Sequence, residues 1–169
     1  MLELLVIRHA IAVEREVWAR DHLDDEARPL TDEGRGKMAE ATEGLARIAP
    51  KVSTLASSPL VRAVQTADIV AVALAPAGRV VTETLVPNAP FTDFQKWLRS
   101  RGTDGAVAIV GHEPHLGALT SWLLDSAAQP FLEYKKGGAA LLEFRGDVRA
   151  GAAVLRWLLT PSYLRRIGR

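Results

Sequence analysis

Two long apolar runs in the chain each lead into a cationic or imidazole side chain. The run Leu4–Ile7 ends in Arg8 and His9, and the run Ala106–Val110 leads through a glycine into His112. Neither run alternates apolar with polar residues, which predicts strands buried on both faces, as at the centre of a parallel sheet. The polar residues then fall at the carboxyl ends of these strands, where ligands bind in open α/β sheets.

The rest of the pattern predicts helices that alternate with strands. Thr31 is a good N-cap for a helix that ends before Pro50, and Pro59 after two serines predicts the first position of another helix. We therefore expect strands at Val52–Ala56 and, at an edge, Val80–Thr82, and helices at Asp32–Ile48, Leu60–Leu74, Phe91–Arg101 and Pro114–Leu124.

The last third of the chain has a different pattern. Two apolar runs, Ala139–Phe144 and Ala153–Leu159, are separated by glycines and an aspartate, which predicts a hairpin and so at least one antiparallel strand near the C-terminus. The expected fold is α/β, a single three-layer α/β/α domain over residues 1–169 with a mainly parallel sheet. Residues 11–30 form a long excursion with a short helix near Glu14–Asp21, and the basic end Arg165–Arg169 is expected to be frayed.

Composition narrows the classes of function. The 169 residues include 48% hydrophobic and 24% charged residues, with a net charge of +1, which predicts no general attraction to nucleic acid or to a membrane. The chain has no cysteine, which excludes thiolate zinc sites and cysteine-nucleophile phosphatases. The first apolar segment is too short for a signal peptide or a membrane span. We therefore expect a cytoplasmic protein.

The predicted strand tips bring four chemically suited residues together. Arg8, His9 and His112 follow strands, and Arg62 lies at the start of the helix after the second strand. The carboxyl ends of parallel strands lie on one side of a sheet, so these residues can converge although they are far apart in sequence. Arginine forks bind phosphate oxygens and a histidine nitrogen is nucleophilic near neutral pH. This combination predicts a site for phosphoryl chemistry.

With these residues in place, the chain resembles the histidine phosphatase superfamily, whose fold is phosphoglycerate mutase-like. Within it, the chain is similar to the short branch of SixA-type phosphohistidine phosphatases. Ala10 stands where most of the superfamily has glycine. The matching motifs are Val6–Ala10, Arg28–Gly34, Ser57–Ala67 and Val110–Pro114.

The resemblance implies a role for each matched residue. His9 would be the nucleophile that forms a phosphohistidine intermediate, which water later hydrolyses. Arg8, Arg62 and His112 would bind the phosphoryl oxygens and stabilise the transition state. Arg28 is a further candidate for substrate binding, although a salt bridge that braces its loop is an equal alternative. No cofactor and no metal are implied.

The general acid is where the sequence departs from the family pattern. Alignment on Leu85–Pro87 puts Thr84 where members usually carry a carboxylic acid, and Glu83 lies one residue early. Glu83 is the candidate acid, and Glu113 is a second possibility. A third is that no acid is needed, since a phosphoramidate nitrogen leaves readily once protonated, whereas an alkyl ester oxygen needs a proton donor. This favours a substrate with a P–N bond.

Metal-dependent alternatives fit the sequence less well. His112 and His115 are one residue too close for the zinc motif His-Glu-x-x-His, and Asp24-Asp25 does not follow a buried strand as an aspartyl or magnesium site requires. His22 and His115 are expected to be surface or packing residues. The candidate substrates are a phosphohistidine in a partner protein and a small phosphorylated metabolite. A non-catalytic module that binds phosphate or phosphoprotein is the remaining alternative.

Overall fold

A six-stranded sheet forms the centre of the computed structural model, which describes residues 1–102, 104–127 and 129–169. The strands lie in the order β3-β2-β4-β1-β5-β6. Their bounds are β1 Leu2–Arg8, β2 Val52–Ser57, β3 Gly78–Val81, β4 Gly105–Gly111, β5 Ala139–Phe144 and β6 Ala153–Leu159.

The pairing of the strands confirms the predicted sheet. β1, β2, β3 and β4 are mutually parallel, and β5 runs antiparallel to both β1 and β6. In the β1–β4 pair Arg8 lies opposite Gly111, and in the β2–β4 pair Ser57 lies opposite Val110. Three strands therefore end at the same level, and the residues that follow them share one edge.

Helices cover both faces of the sheet. Side chains of β1 alternate between two apolar cores: Leu4 and Val6 pack with the helices of one face, and Leu5 and Ile7 with those of the other. α4 and α5 lie on the first face, and α2, α3 and α6 on the second. The helices are α1 Arg15–Trp18, α2 Asp32–Ile48, α3 Val61–Leu74, α4 Phe91–Arg99, α5 His115–Asp125 and α6 Pro161–Gly168. This is the expected three-layer α/β/α arrangement.

Two local predictions were wrong. Pro59 is not the first residue of a helix, because Ser58 donates its backbone N–H to the carbonyl of Val110 and so continues along the sheet, and α3 begins only at Val61. The C-terminal segment is not frayed, because Leu164 and Gly168 are buried where α6 packs on α2. Among the described residues, no helix is long and apolar enough to cross a membrane.

Candidate active site

The edge formed by the strand tips carries a cavity of about 470 Å³. Arg8, His9, Arg62 and His112 all line it, as the sequence predicts. The backbone N–H of His9 donates to the carbonyl of Gly111 at 3.0 Å, which joins the tips of β1 and β4. The rings of His9 and His112 consequently lie 5.2 Å apart, centroid to centroid. Three segments that are distant in sequence therefore form one pocket.

The surroundings of His9 fix its tautomer. Its ring Nδ1 lies 2.7 Å from the carbonyl oxygen of Ala10, and a carbonyl can only accept, so Nδ1 carries the proton. The lone pair is then on Nε2. Burial above all, and then the charges of Arg62 and Arg8, lower the pKa of His9 to about 3 against the opposing hydrogen bond to Ala10. At neutral pH the ring is uncharged and its Nε2 is available as a nucleophile.

Several buried nitrogens of the pocket are unpartnered. Nε of Arg8, Nε of Arg62 and both ring nitrogens of His112 are buried and have no hydrogen-bond partner among the described residues. Burial first, and then the neighbouring His9 and Arg62, lower the pKa of His112 to about 2, so this ring is also neutral. Buried polar groups are nearly always paired, so such a cluster marks a place where an oxygen-rich ligand completes the bonding. A tetrahedral oxyanion can accept from the two guanidinium Nε–H groups and from the one protonated nitrogen of the neutral His112 ring.

Hydrogen bonds tie the parts of the pocket to one another. The hydroxyl of Thr66 accepts from the backbone N–H of Ala10 at 3.0 Å and donates to the carbonyl of Arg62 at 2.7 Å. On the other side, Nη1 of Arg8 donates to the carbonyl of Tyr134 at 2.5 Å. The loop after β1, the start of α3 and the 130–138 segment are therefore held in a common frame before any ligand binds.

Arg28 lies in the same cavity and is buried. Its Nε donates to the carboxylate of Asp25 at 2.8 Å and its Nη1 to the carbonyl of Val13 at 2.7 Å. These bonds brace the excursion that follows β1, whose ends are joined by the bridge between Ala12 and Leu30. Both sequence interpretations of Arg28, a loop brace and a ligand of the pocket, are compatible with this position.

The two candidate acids lie in different places. Glu83 is exposed in a short 3₁₀ helix, Glu83–Leu85, and lines a neighbouring cavity with Thr84 and Asp93. Glu113 lines the cavity of His9 itself. Its carboxylate accepts from the backbone N–H of Tyr134 at 3.0 Å. Burial raises the pKa of Glu113, although this hydrogen bond and the charge of Arg8 oppose the rise. Geometry therefore favours Glu113 over Glu83 as the carboxyl group of the site.

Four charged residues of the cavity were not foreseen from the sequence. They are Glu14, Arg15, Glu16 and Lys136, and Lys136 forms an ion pair with Glu14 at 3.5 Å. Lys136 comes from the segment before β5, where Gly137 donates its N–H to the carbonyls of Arg8 and His9. Only the charge of the 14–16 stretch, next to the first strand tip, could have signalled these residues; nothing in the sequence around Lys136 does.

A second cavity, of about 590 Å³, adjoins the first. The two share Arg8, Glu113 and Pro114. Pro130, Phe131 and Leu132 give the second cavity an apolar stretch of wall beside Glu133, and Phe131 is 59% exposed. This cavity offers room for the group that carries a phosphoryl moiety.

His22 is exposed and stacks on Trp18, and His115 is buried against the carbonyl of Ala89, as their packing roles predict.

In the part of the chain that the structure describes, no three His, Cys, Asp or Glu side chains are grouped so that they could hold a metal ion. The described residues that line the cavity include five cationic side chains: Arg8, Arg15, Arg28, Arg62 and Lys136. These side chains are the positive charge that the cavity offers to an anion.

Comparison with known proteins agrees with this geometry. Residues 4–85 match the family model of the histidine phosphatase superfamily (branch 1). An uncharacterized protein of Picosynechococcus sp. is 31% identical over 154 residues, which cover 90% of this chain and 87% of that protein.

Solved structures share the fold. The protein histidine phosphatase SixA, complexed with tungstate, superimposes with a TM-score of 0.81 at 22% identity, over 96% of this chain and 99% of its own. A phosphoserine phosphatase from Entamoeba histolytica, in complex with 3-phosphoglyceric acid, gives a TM-score of 0.67 at 18% identity, over 97% and 100% of the two chains. The architecture is thus one on which phosphatases of different substrates are built.

Proposed function

Because the chain belongs to the histidine phosphatase superfamily, we propose that it removes phosphoryl groups from phosphohistidine in a partner protein, through an intermediate on His9. The family and the phosphatases among its structural relatives support a phosphatase with a histidine nucleophile. The observation that carries the proposal is the neutral ring of His9, with Nδ1 bonded to Ala10, next to a cluster of unpartnered buried donors.

The first step of the proposed mechanism is an in-line displacement. Nε2 of His9 attacks phosphorus, the N–P bond forms, and the bond from phosphorus to the leaving group breaks on the opposite side. The Nε groups of Arg8 and Arg62, with the protonated nitrogen of His112, donate to the phosphoryl oxygens. Because these groups are already oriented, they stabilise the charge of the transition state without reorganisation.

The second step returns His9 to its starting state. Water attacks the phosphohistidine, the P–N bond breaks, and the electron pair returns to Nε2 while inorganic phosphate leaves. The bond between Nδ1 and Ala10 holds the ring through both steps, so the same nitrogen is phosphorylated and released. No cofactor takes part in either step, and the positive charge is supplied by the arginines.

The preference for a P–N substrate is supported by the placement of the carboxyl groups. Glu83 lines a different cavity from His9, and the carboxylate of Glu113 already accepts a backbone hydrogen bond from Tyr134. A phosphorylated imidazole that carries a proton on its other nitrogen leaves phosphorus as a neutral ring without a proton donor, whereas an alkyl ester oxygen must be protonated as it leaves. The adjoining cavity with its apolar wall gives space for a protein surface. The cytoplasmic location predicted from the sequence is kept as part of this proposal.

Parallel turnover measurements test the function. A protein that carries phosphohistidine and para-nitrophenyl phosphate are each assayed with EDTA present, with His9→Ala as the control. We expect turnover of the phosphohistidine to exceed that of the ester, to survive EDTA and to vanish in His9→Ala. Ester hydrolysis with inert phosphohistidine would instead indicate a metabolite phosphatase, and phosphate binding without any turnover would indicate a non-catalytic module; either result rejects the proposal.

A further inference from the structure

The carboxylate of Asp25 contacts three arginines beside the catalytic cavity. Its Oδ1 accepts from Nε of Arg28 at 2.8 Å and lies 3.5 Å from Nε of Arg15, and its Oδ2 accepts from Nη2 of Arg62 at 3.2 Å. The backbone carbonyl of Asp25 accepts from Nη1 of Arg62 at 2.9 Å. All three arginines line the cavity of His9. One residue thus gathers most of the positive charge of the site.

These contacts determine the orientation of the Arg62 guanidinium. The group is planar, and Asp25 binds its two terminal nitrogens, so two points fix its plane. The third nitrogen, Nε, is buried and has no partner among the described residues. Arg62 itself is only 3% exposed, which leaves little space for another rotamer. Asp25 therefore holds Arg62 in the orientation that keeps Nε free for a ligand.

Asp25 is in turn held by its own loop. The side chain of Asp24 accepts from the backbone N–H of Glu26 and begins the 3₁₀ helix Asp25–Ala27. The indole N–H of Trp18 donates to the carbonyl of Asp24 at 2.8 Å, and the ring stacks on His22 with centroids 3.5 Å apart. These contacts hold the carboxylate of Asp25 in place, and the position of the carboxylate in turn determines where the arginines lie.

We propose that Asp25 is a positioning residue for phosphoryl transfer, which acts by orienting Arg62 and Arg28 toward the phosphoryl oxygens. This inference rests on the proposed function of the same cavity. Asp25 does not donate a proton. Partial burial opposes its ionisation, but the hydrogen bond from Arg28 and the charges of Arg62 and Arg28 prevail and lower the pKa of Asp25, so it is an anion at neutral pH.

Kinetics of three variants test the proposal. Asp25→Ala removes the carboxylate but keeps the backbone carbonyl that accepts from Nη1 of Arg62. We expect kcat to fall about 100-fold, as for other losses of alignment in active sites. Asp25→Asn keeps an oxygen acceptor but removes the negative charge, and its kcat should fall about tenfold. KM should change less than about threefold in both, because the loss of a nearby negative charge favours phosphate binding while misalignment opposes it.

The matched control is Asp24→Asn. It removes one negative charge from the same loop and keeps the acceptor for Glu26, and among the described residues Asp24 forms no ion pair with an arginine. We expect its kcat to stay within about twofold of the wild type, since exposed charges contribute little. Thermal unfolding of all variants is measured alongside, and Asp25→Asn carries the test if Asp25→Ala does not fold.

A readout that does not need turnover separates this inference from the proposed function. The Nε–Hε resonances of Arg62 and Arg28 are assigned with the variants Arg62→Lys and Arg28→Lys. In the wild type and in Asp24→Asn, both resonances should differ from that of free arginine. When Asp25 is replaced, they should move toward the free-arginine position. An inactive wild type rejects the proposed function, yet the resonances still test Asp25. Unchanged resonances, or a kcat in the Asp25 variants equal to that of Asp24→Asn, would overturn the positioning role.

Discussion

The ionisation of single side chains decides what this pocket can do. In the proposed mechanism His9 can attack phosphorus because burial keeps its ring neutral and because its proton lies on Nδ1, bonded to Ala10. The arginines also lower its pKa, as the sequence predicts, but burial contributes more. Asp25 and Glu113 are shifted in opposite directions: arginines keep Asp25 ionised, and burial raises the pKa of Glu113.

A comparison of Glu113→Gln with Glu83→Gln tests the role of the carboxyl groups. Because Glu113 lies in the cavity of His9, Glu113→Gln should slow the already weak hydrolysis of an alkyl phosphate about tenfold further, while phosphohistidine turnover, which needs no acid, changes little. Glutamine can still accept from Tyr134, so the fold of the segment is kept. Glu83→Gln should leave the turnover rates of both substrates within about twofold of the wild-type rates. These rates are measured by phosphate release at saturating substrate.

The reverse pattern would contradict this assignment. If Glu83→Gln slows the alkyl ester and Glu113→Gln does not, the loop Glu83–Pro90 carries the acid despite its separate cavity. Equal losses on phosphohistidine and the ester in Glu113→Gln would indicate that Glu113 acts by holding Tyr134 and Arg8, not by proton transfer.

The first turn of α2 makes a close contact with the chain that follows β1. α2 begins at Asp32 with Thr31 as its cap, and its first turn lies directly against the chain that leaves β1. A Cβ added at Gly34 would lie 2.0 Å from the carbonyl oxygen of Ile11. The next glycine of the helix, Gly36, has nothing within 4 Å of such an atom. The same helix thus offers a tight position and an open one.

Gly34→Ala and Gly36→Ala form a matched pair for this contact. Gly34→Ala should destabilise the protein by about 2 kcal/mol or more and lower kcat, because relief of the clash moves the backbone two residues after His9. Gly36→Ala should stabilise it by about 0.5 to 1 kcal/mol, the helix preference of alanine over glycine. Urea unfolding gives both values. Equal effects of the two substitutions would show that the contact with Ile11 has no role.

Element prediction from sequence succeeded where burial alone determines the structure. The runs Leu4–Ile7 and Ala106–Val110 are strands because both of their faces are covered, and Thr31 caps its helix through a local hydrogen bond. It failed at Pro59 and at α6, which depend on partners distant in sequence: the carbonyl of Val110 and the groove at Gly44. Asp25 was considered only as a metal or nucleophile candidate, since its arginine partners become visible only in three dimensions.

At the scale of the whole molecule, the site and the stability are linked through buried histidines. Burial and neighbouring charge lower the pKa of His9 to about 3 and that of His112 to about 2, whereas both would be near 6.5 in the unfolded chain. Below about pH 6.5, the histidines of the unfolded chain bind protons that the buried histidines of the folded protein do not bind. Stability is therefore complete above about pH 6.5 and falls as the pH is lowered toward the folded values.

The pH dependence of unfolding measures this linkage. Lowering the pH from 7 to 5.5 should cost about 1 kcal/mol for each of the two histidines. In the variant His9→Gln/His112→Gln the loss over this range should be smaller by about 2 kcal/mol. Urea unfolding at the two pH values gives the comparison. An identical pH dependence in the variant and the wild type would mean that the two rings have the same pKa in the folded protein as in the unfolded chain, which contradicts the lowered pKa values.

The sheet explains why residues so distant in sequence work together. Parallel pairing of β1, β2 and β4 puts their carboxyl ends on one edge, and the hydrogen bonds of Thr66 connect that edge to α3. The shared edge follows from strand patterns in the sequence, whereas the hydrogen bonds of Thr66 were not foreseen. The contribution of Lys136 and the position of Glu113 do not follow from these patterns either, because they depend on how the 130–138 segment folds back onto the tip of β1.

The central claim is that His9 carries the phosphoryl group during turnover, and trapping of the intermediate tests it most directly. The protein is mixed with a phosphohistidine-bearing substrate, quenched in alkali within milliseconds, where phosphohistidine survives, and digested for mass spectrometry. The account predicts phosphate on Nε2 of His9, formed and lost at rates compatible with turnover, and none in His9→Ala. Two results would contradict the account: normal turnover without phosphate on His9, and undiminished activity of His9→Ala.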